Sequence, residues 1–127
     1  MQDKYLYEYS VIRIVPLIER EEFVNVGIVL FCKKEKFITM HFKINEEKLI
    51  LFCKEIDLEQ VHQNLISFQK IAAGDTNGGP IALMDEASRF RWLTAVRSSV
   101  IQTSRPHPGL STNLEQTAKR LFEEMVL

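Results

Sequence analysis

Cysteine is nearly absent from this sequence: Cys32 and Cys53 are the two in 127 residues. That is too few for the disulfide framework of a small secreted scaffold. Each stands in an apolar run, Cys32 in a strand-like one and Cys53 beside Phe52, where a free thiol serves as a small core residue. Metal-ligand spacing is lacking too. His41, His62 and His107 show no metal-like interval and there is no C-x-x-C pair, so no metal site is expected. Long hydrophobic runs are missing. The longest, Val26 to Cys32, falls far short of the roughly 20 residues that cross a bilayer. The start, Met1-Gln2-Asp3-Lys4-Tyr5, has neither the charged n-region nor the apolar h-region of a signal peptide. The expectation is a cytoplasmic protein with no membrane partner. Nor is one sign of charge in excess. Sixteen Lys and Arg face 17 Asp and Glu, for a net charge of -1, so no global basic field advertises a nucleic-acid binder. An anion site has to come from local clustering. No Walker loop, G-x-G-x-x-G or nucleophile elbow occurs, and no cofactor is expected.

What is present is ordinary globular material: 46% hydrophobic and 26% charged residues, in proportions that support a packed core. The length is that of one domain, residues 1–127, able to bury roughly two-thirds of its unfolded surface. Tyr5 to Val15 is rich in strand formers and Pro16 ends it. Phe23 to Cys32 is the strongest strand, with Val24, Val26, Ile28, Leu30 and Cys32 all apolar. Lys36 to Ile44 is the third strand. A three-residue turn, Lys33-Lys34-Glu35, would place Leu30 opposite Ile38 and Ile28 opposite Met40. Glu46 to Glu55 suits a short helix. Leu58, Val61, Leu65, Phe68 and Ala72 recur at helical spacing, with Asp57 as cap and Gly74 as stop. Asp85 to Ala95 is a further helix, Ser98 to Ser104 an irregular strand and Arg105 to Leu110 a proline-punctuated loop. Thr112 and Glu115 form a capping box for a last helix. The fold class is therefore α+β: an antiparallel sheet of three to four strands with helices packed mainly on one face.

Two polar features interrupt this pattern. Between Arg89 and Gly109 lie four arginines, Arg89, Arg91, Arg97 and Arg105, with Ser98, Gln102, Thr103 and His107 among them. Arginine offers a planar fork of donors to phosphate or carboxylate, and hydroxyls and amides add neutral donors. Trp92 and the arginines are also suited to stack on bases. The other reading is a helix whose arginines pair with the chain's own acids. The second feature is Glu21-Glu22-Phe23-Val24-Asn25-Val26-Gly27. A glycine inside a strand marks a bulge or a close backbone approach. Arg13, Asn25, His41 and Lys43 fall together on the polar side of the strands as a shallow hollow. Tyr5, Tyr7 and Tyr9 form a stripe that either packs under a helix or supplies an interface.

The strings Tyr9-Ser10-Val11-Ile12-Arg13-Ile14-Val15-Pro16 and Glu22 to Phe31, with Arg89-Phe90-Arg91-Trp92-Leu93-Thr94-Ala95, Arg97-Ser98, Gln102-Thr103-Ser104 and His107-Pro108-Gly109, resemble the signature of a bacterial family, domain of unknown function 3037. The resemblance covers nearly the whole chain. It implies a stand-alone bacterial protein with no established activity. Its members are often encoded beside a HipA-like kinase, which implies a protein partner and a toxin–antitoxin or defence context. The resulting expectation is an accessory or binding module for a phosphate-bearing ligand, a nucleic acid or a partner protein. Its ligand-binding residues would be Arg13, Asn25, Arg89, Arg91, Arg97, Ser98, Gln102, Thr103, Arg105 and His107. One alternative is a nuclease or phosphoryl-transfer enzyme using His107, Arg97, Arg105 and a carboxylate such as Glu22. Another is a homo-oligomer, a homodimeric interaction domain.

Overall fold

The computed structural model describes residues 4–97 and 99–127. Five strands and four α-helices follow one another as β1 (Tyr5–Ile14), β2 (Val24–Cys32), β3 (Phe37–Phe42), α1 (Glu46–Phe52), α2 (Leu58–Ala73), α3 (Glu86–Leu93), β4 (Ile101–Thr103), β5 (His107–Ser111) and α4 (Leu114–Met125). The sheet is antiparallel and runs β3-β2-β1-β4, with β5 also on β1. This is the expected α+β class. β4 pairs with Ile12–Ile14 and β5 with Tyr5–Tyr9, so the two are successive pieces of one interrupted edge strand. Between them the backbone N–H of Val11 donates to Ser104 Oγ at 2.8 Å, and Ser104 N–H returns a bond to the Val11 carbonyl at 2.9 Å. A hydroxyl thus stands in for a ladder carbonyl where the register shifts by one residue.

Both faces of the sheet are covered. On one face Ile12, Ile14, Val24, Val26, Val29, Phe31 and Met40 meet Leu49 of α1, Val61, Leu65 and Phe68 of α2, and Phe90 and Leu93 of α3. On the other, Tyr7, Val11, Ile28, Leu30 and Cys32 meet Leu114, Ala118 and Leu121 of α4, with Tyr5 and Tyr9 packed at the margin. Three helices lie on the first face and one on the second, and the tyrosine stripe belongs to the core under α4. Each large side chain so buried contributes about 1.5–3 kcal/mol. Among the described residues no helix is long and apolar enough to cross a membrane.

The register between β2 and β3 differs from expectation. The turn spans four residues, Lys33 to Lys36, closed by Lys36 N–H on the Lys33 carbonyl at 3.3 Å, with Lys36 at φ 50. Leu30 therefore lies opposite Thr39 and Ile28 opposite His41. A β-bulge explains how the apolar pattern survives. Against β1 the pairing passes from Ile12↔Gly27 to Arg13↔Asn25, leaving Val26 as the extra residue. Val24 and Val26 face α2, while Ile28, Leu30 and Cys32 face α4. Gly27 is required at this point. A Cβ there would lie 2.5 Å from the His41 carbonyl oxygen and 2.9 Å from Phe42 Cβ.

Helix caps follow local chemistry. Asp57 accepts from Gln60 N–H at 3.0 Å, and Gly74 closes α2 in the left-handed region at φ 69. Asp85 caps α3 by accepting from Ser88 N–H at 2.7 Å. In α4 the cap is Asn113, accepting from Gln116 N–H at 3.1 Å, one residue beyond the expected Thr112. The stretch expected as the loop Arg105 to Leu110 contains β5 instead. Proline is tolerated on an edge strand where its nitrogen faces solvent.

Candidate anion-binding site

Arg13 of β1 lies opposite Asn25 of β2 on one side and Gln102 of β4 on the other. Residues opposite one another share a face. Val11 points to α4 while Ile12 and Ile14 point away, so alternation puts Arg13, Asn25 and Gln102 in one polar row on the α4 face. Asn25 Nδ2 donates to the Met125 carbonyl at 3.1 Å, satisfying a last-turn acceptor of α4. Phe122 of the same turn packs against His41, the two rings tilted at 42° with 5.9 Å between centroids. The expected hollow of Arg13, Asn25, His41 and Lys43 is thus roofed by α4 on its Asn25–His41 side.

The opening is on the other side of Arg13. A hollow of about 260 Å³ is lined by Arg13, Val15, Glu21, Phe23 and Gln102. That is slightly below the roughly 300–1,000 Å³ of drug-sized pockets, which suits a small group. The Arg13 guanidinium lies over the Phe23 ring, 4.1 Å from its centroid. Burial lowers its pKa from the usual arginine value, yet it remains a cation, as arginine does in proteins. Its Nε is buried with no hydrogen-bond partner, as is Asn25 Oδ1. Among the described residues no acid pairs with it. Glu21, at the mouth, has φ 56, a left-handed conformation that costs an ordinary residue about 1–2 kcal/mol.

The remaining expected residues are dispersed. Arg89 is buried. Its Nη1 donates to the Ile71 and Ala72 carbonyls at 3.3 Å each, and Nη2 lies 3.7 Å from Glu86. It closes the C-terminal turn of α2 and is withdrawn from any surface site. Arg91 is exposed and lines a separate hollow with Glu8, Phe31 and Lys33. Arg97 lies over Trp92 at 4.5 Å and Phe68 at 5.2 Å and donates to the Trp92 carbonyl; burial lowers its pKa as well. With Asn64, Ser67, Trp92 and Ser99 it lines an open groove of about 510 Å³. Gln102 Nε2 donates to the Ser99 carbonyl at 2.9 Å. Thr103, opposite Ile12, faces away from the Arg13 row. Arg105 is exposed, and its carbonyl accepts from Ser104 Oγ at 3.1 Å. His107 is exposed beside Tyr9, 5.4 Å between ring centroids. Ser98 lies outside the described residues.

Strand alternation thus divides the polar C-terminal segment. Ile101 lines the Arg97 groove and Gln102 the Arg13 hollow, on opposite faces of β4. Sequence reasoning singled out the segment Glu21 to Gly27 but did not count Phe23 and Glu21 among its binding residues. The signal was there: Phe23 stands two residues before Asn25, the interval that keeps a strand residue on the same side.

No curated protein and no solved structure matches the chain. Both the Arg13 row and the Arg97 groove fall within residues 9–126, which match the model of the family described as "Protein of unknown function (DUF3037)", and the chain belongs to that family.

Proposed function

We propose that this domain is a binding module that takes a small anionic group, phosphate or carboxylate, in the hollow at Arg13. The observation that carries this is the unspent guanidinium. A desolvated cation stacked on Phe23, with a buried Nε lacking a partner and, among the described residues, no ion-paired acid, retains donors that an oxyanion satisfies. Gln102 beside it adds a neutral amide. The hollow holds one anionic group of a ligand, with the rest of that ligand outside. Arg91, Arg97, Arg105 and His107 have no part in this hollow.

The phosphoryl-transfer alternative needs His107, Arg97, Arg105 and a carboxylate around one substrate. Glu22 is ion-paired with Arg20 at 2.6 Å, Arg97 is packed on Trp92 and Phe68, and His107 lies against Tyr9. These groups do not converge, so binding without chemistry is the better reading.

The test is thermal melting in sodium phosphate against chloride at matched ionic strength. A ligand at ten times its Kd adds about 1.4 kcal/mol, which for a domain of this size raises Tm by about 5 °C. The wild type and Arg97→Gln should show the shift and Arg13→Gln should lose it. No shift in the wild type, or an equal shift in Arg13→Gln, would falsify the proposal.

A further inference from the structure

The hollow at Arg13 holds more than a cation. Glu21 and Gln102 line it too. Two adjacent acids in the segment before β2 are used differently. Glu22 is ion-paired with Arg20 at 2.6 Å, whereas Glu21, among the described residues, is ion-paired neither with Arg13 nor with any other cation. Its backbone stands at φ 56, a left-handed conformation that persists in an ordinary residue only where the surroundings enforce it. Gln102 has one N–H of Nε2 on the Ser99 carbonyl at 2.9 Å, and among the described residues its Oε1 accepts no hydrogen bond. The polar lining is therefore a donor-only cation, Arg13, beside two groups with unspent acceptors, Glu21 and Gln102. A simple oxyanion satisfies Arg13 and leaves both acceptors without a donor. An occupant that completes all three carries negative charge on one side and a positively charged N–H group on the other.

Building on the anion reading of Arg13, we infer that the hollow takes a free α-amino acid as its zwitterion. The carboxylate lies against Arg13, the ammonium against Glu21 and Gln102 Oε1, and the amino-acid side chain stays outside. In an α-amino acid both charged groups stand on one carbon, so they fit together in a hollow of about 260 Å³. A peptide carries its two charged termini apart and offers no such pair. The ligand's charges cancel, so no net charge enters the hollow, and each protein charge meets its opposite. The apolar walls, Val15 and Phe23, lower the local dielectric and strengthen both contacts.

Glycine and acetate test it on the full chain, because glycine is acetate with one hydrogen replaced by ammonium. Amide chemical shifts followed by NMR at neutral pH give a Kd for each, with phosphate as a third probe. Glycine should bind about fivefold more tightly than acetate, the upper worth of one exposed ion pair. N-acetylglycine, whose nitrogen is neutral, should bind no more tightly than acetate. Glu21→Gln should bring glycine down to the affinity of acetate, and its retained acetate binding shows that the site is still folded. Arg13→Gln should abolish binding of both. Acetate or phosphate binding without a preference for glycine overturns the zwitterion and leaves the anion reading of Arg13 in place. A preference for glycine that survives in Glu21→Gln, or that N-acetylglycine shares, overturns it as well. If none of glycine, acetate and phosphate shifts the amides around Arg13, both readings fail.

Discussion

Arg89 and Arg13 are two desolvated arginines with opposite employment. Arg89 is buried in α3 and spends its fork on the Ile71 and Ala72 carbonyls, with Glu86 nearby. Gly74 makes room for it, since a Cβ there would come within 2.4 Å of Nη1. Nε of both arginines is buried without a partner, but Arg13 lies on Phe23 and, among the described residues, is ion-paired with no acid. A guanidinium whose donors end on backbone carbonyls holds a fold together. One left incomplete at the wall of a hollow is available to something else. Residue type alone makes no such distinction; partners do.

The largest expected effect follows from the employed arginine. Arg89→Met takes a donor from the buried Ala72 and Ile71 carbonyls at the end of α2, of which Ile71 keeps the Gly74 N–H at 3.1 Å, and leaves Glu86 without its partner. The loss should be about 3 kcal/mol, or about 12 °C in Tm, measured by heat and by urea. A loss below about 1 kcal/mol would show that Arg89 is as unspent as Arg13 and would erase the contrast.

Next in size is Gly27→Ala. Its Cβ meets backbone at His41 and the Cβ of Phe42, so the strands must separate, at a cost of about 2 kcal/mol. Gly27 belongs to the bulge that sets Asn25 opposite Arg13. The same variant should therefore weaken phosphate stabilisation as well as folding, whereas Arg89→Met should lower Tm and leave the phosphate increment in place.

Much of this was legible in the residues. The three N-terminal strands, the two-faced α2 with Asp57 and Gly74 at its ends, and the closing helix all carry local signals that agree with the fold. Register did not, because β2 is buried on both faces and is apolar at nearly every position. Face parity then carries little information, and a left-handed Lys36 gives no sign of a four-residue turn. β5 was hidden by two prolines. Arg89 was counted with the surface arginines, although it stands four residues before the buried Leu93, on the inward side of α3. Arg13 and Asn25 were joined in one hollow, but Gln102 was not placed beside them, since that needs the β4 pairing.

A smaller effect tests the unemployed arginine. Arg13→Gln should change stability by no more than about 0.5 kcal/mol in either direction, because a desolvated charge without a partner is removed. The phosphate increment should vanish in the same variant. A clear loss of stability in the absence of phosphate would mean that Arg13, like Arg89, is already satisfied within the chain.

The smallest effect is a pH dependence at the start of α3, the helix that carries Arg89. The Ser88 hydroxyl, then the Ser88 backbone N–H, hold the Asp85 carboxyl below its usual 3.8, with Arg91 and Arg89 adding to the pull. A depressed carboxylate stabilises the fold fully above its unfolded pKa and loses that contribution as pH falls through its folded one. Asp85→Asn keeps a capping acceptor and does not titrate. The wild type should be the more stable of the two near neutrality, and the gap should close as pH falls below about 4. Urea titrations of both proteins across that range check it. A gap that stays constant would mean that the cap acts through its hydrogen bond alone, and that Arg89 is held in place by its own contacts with α2 and Glu86.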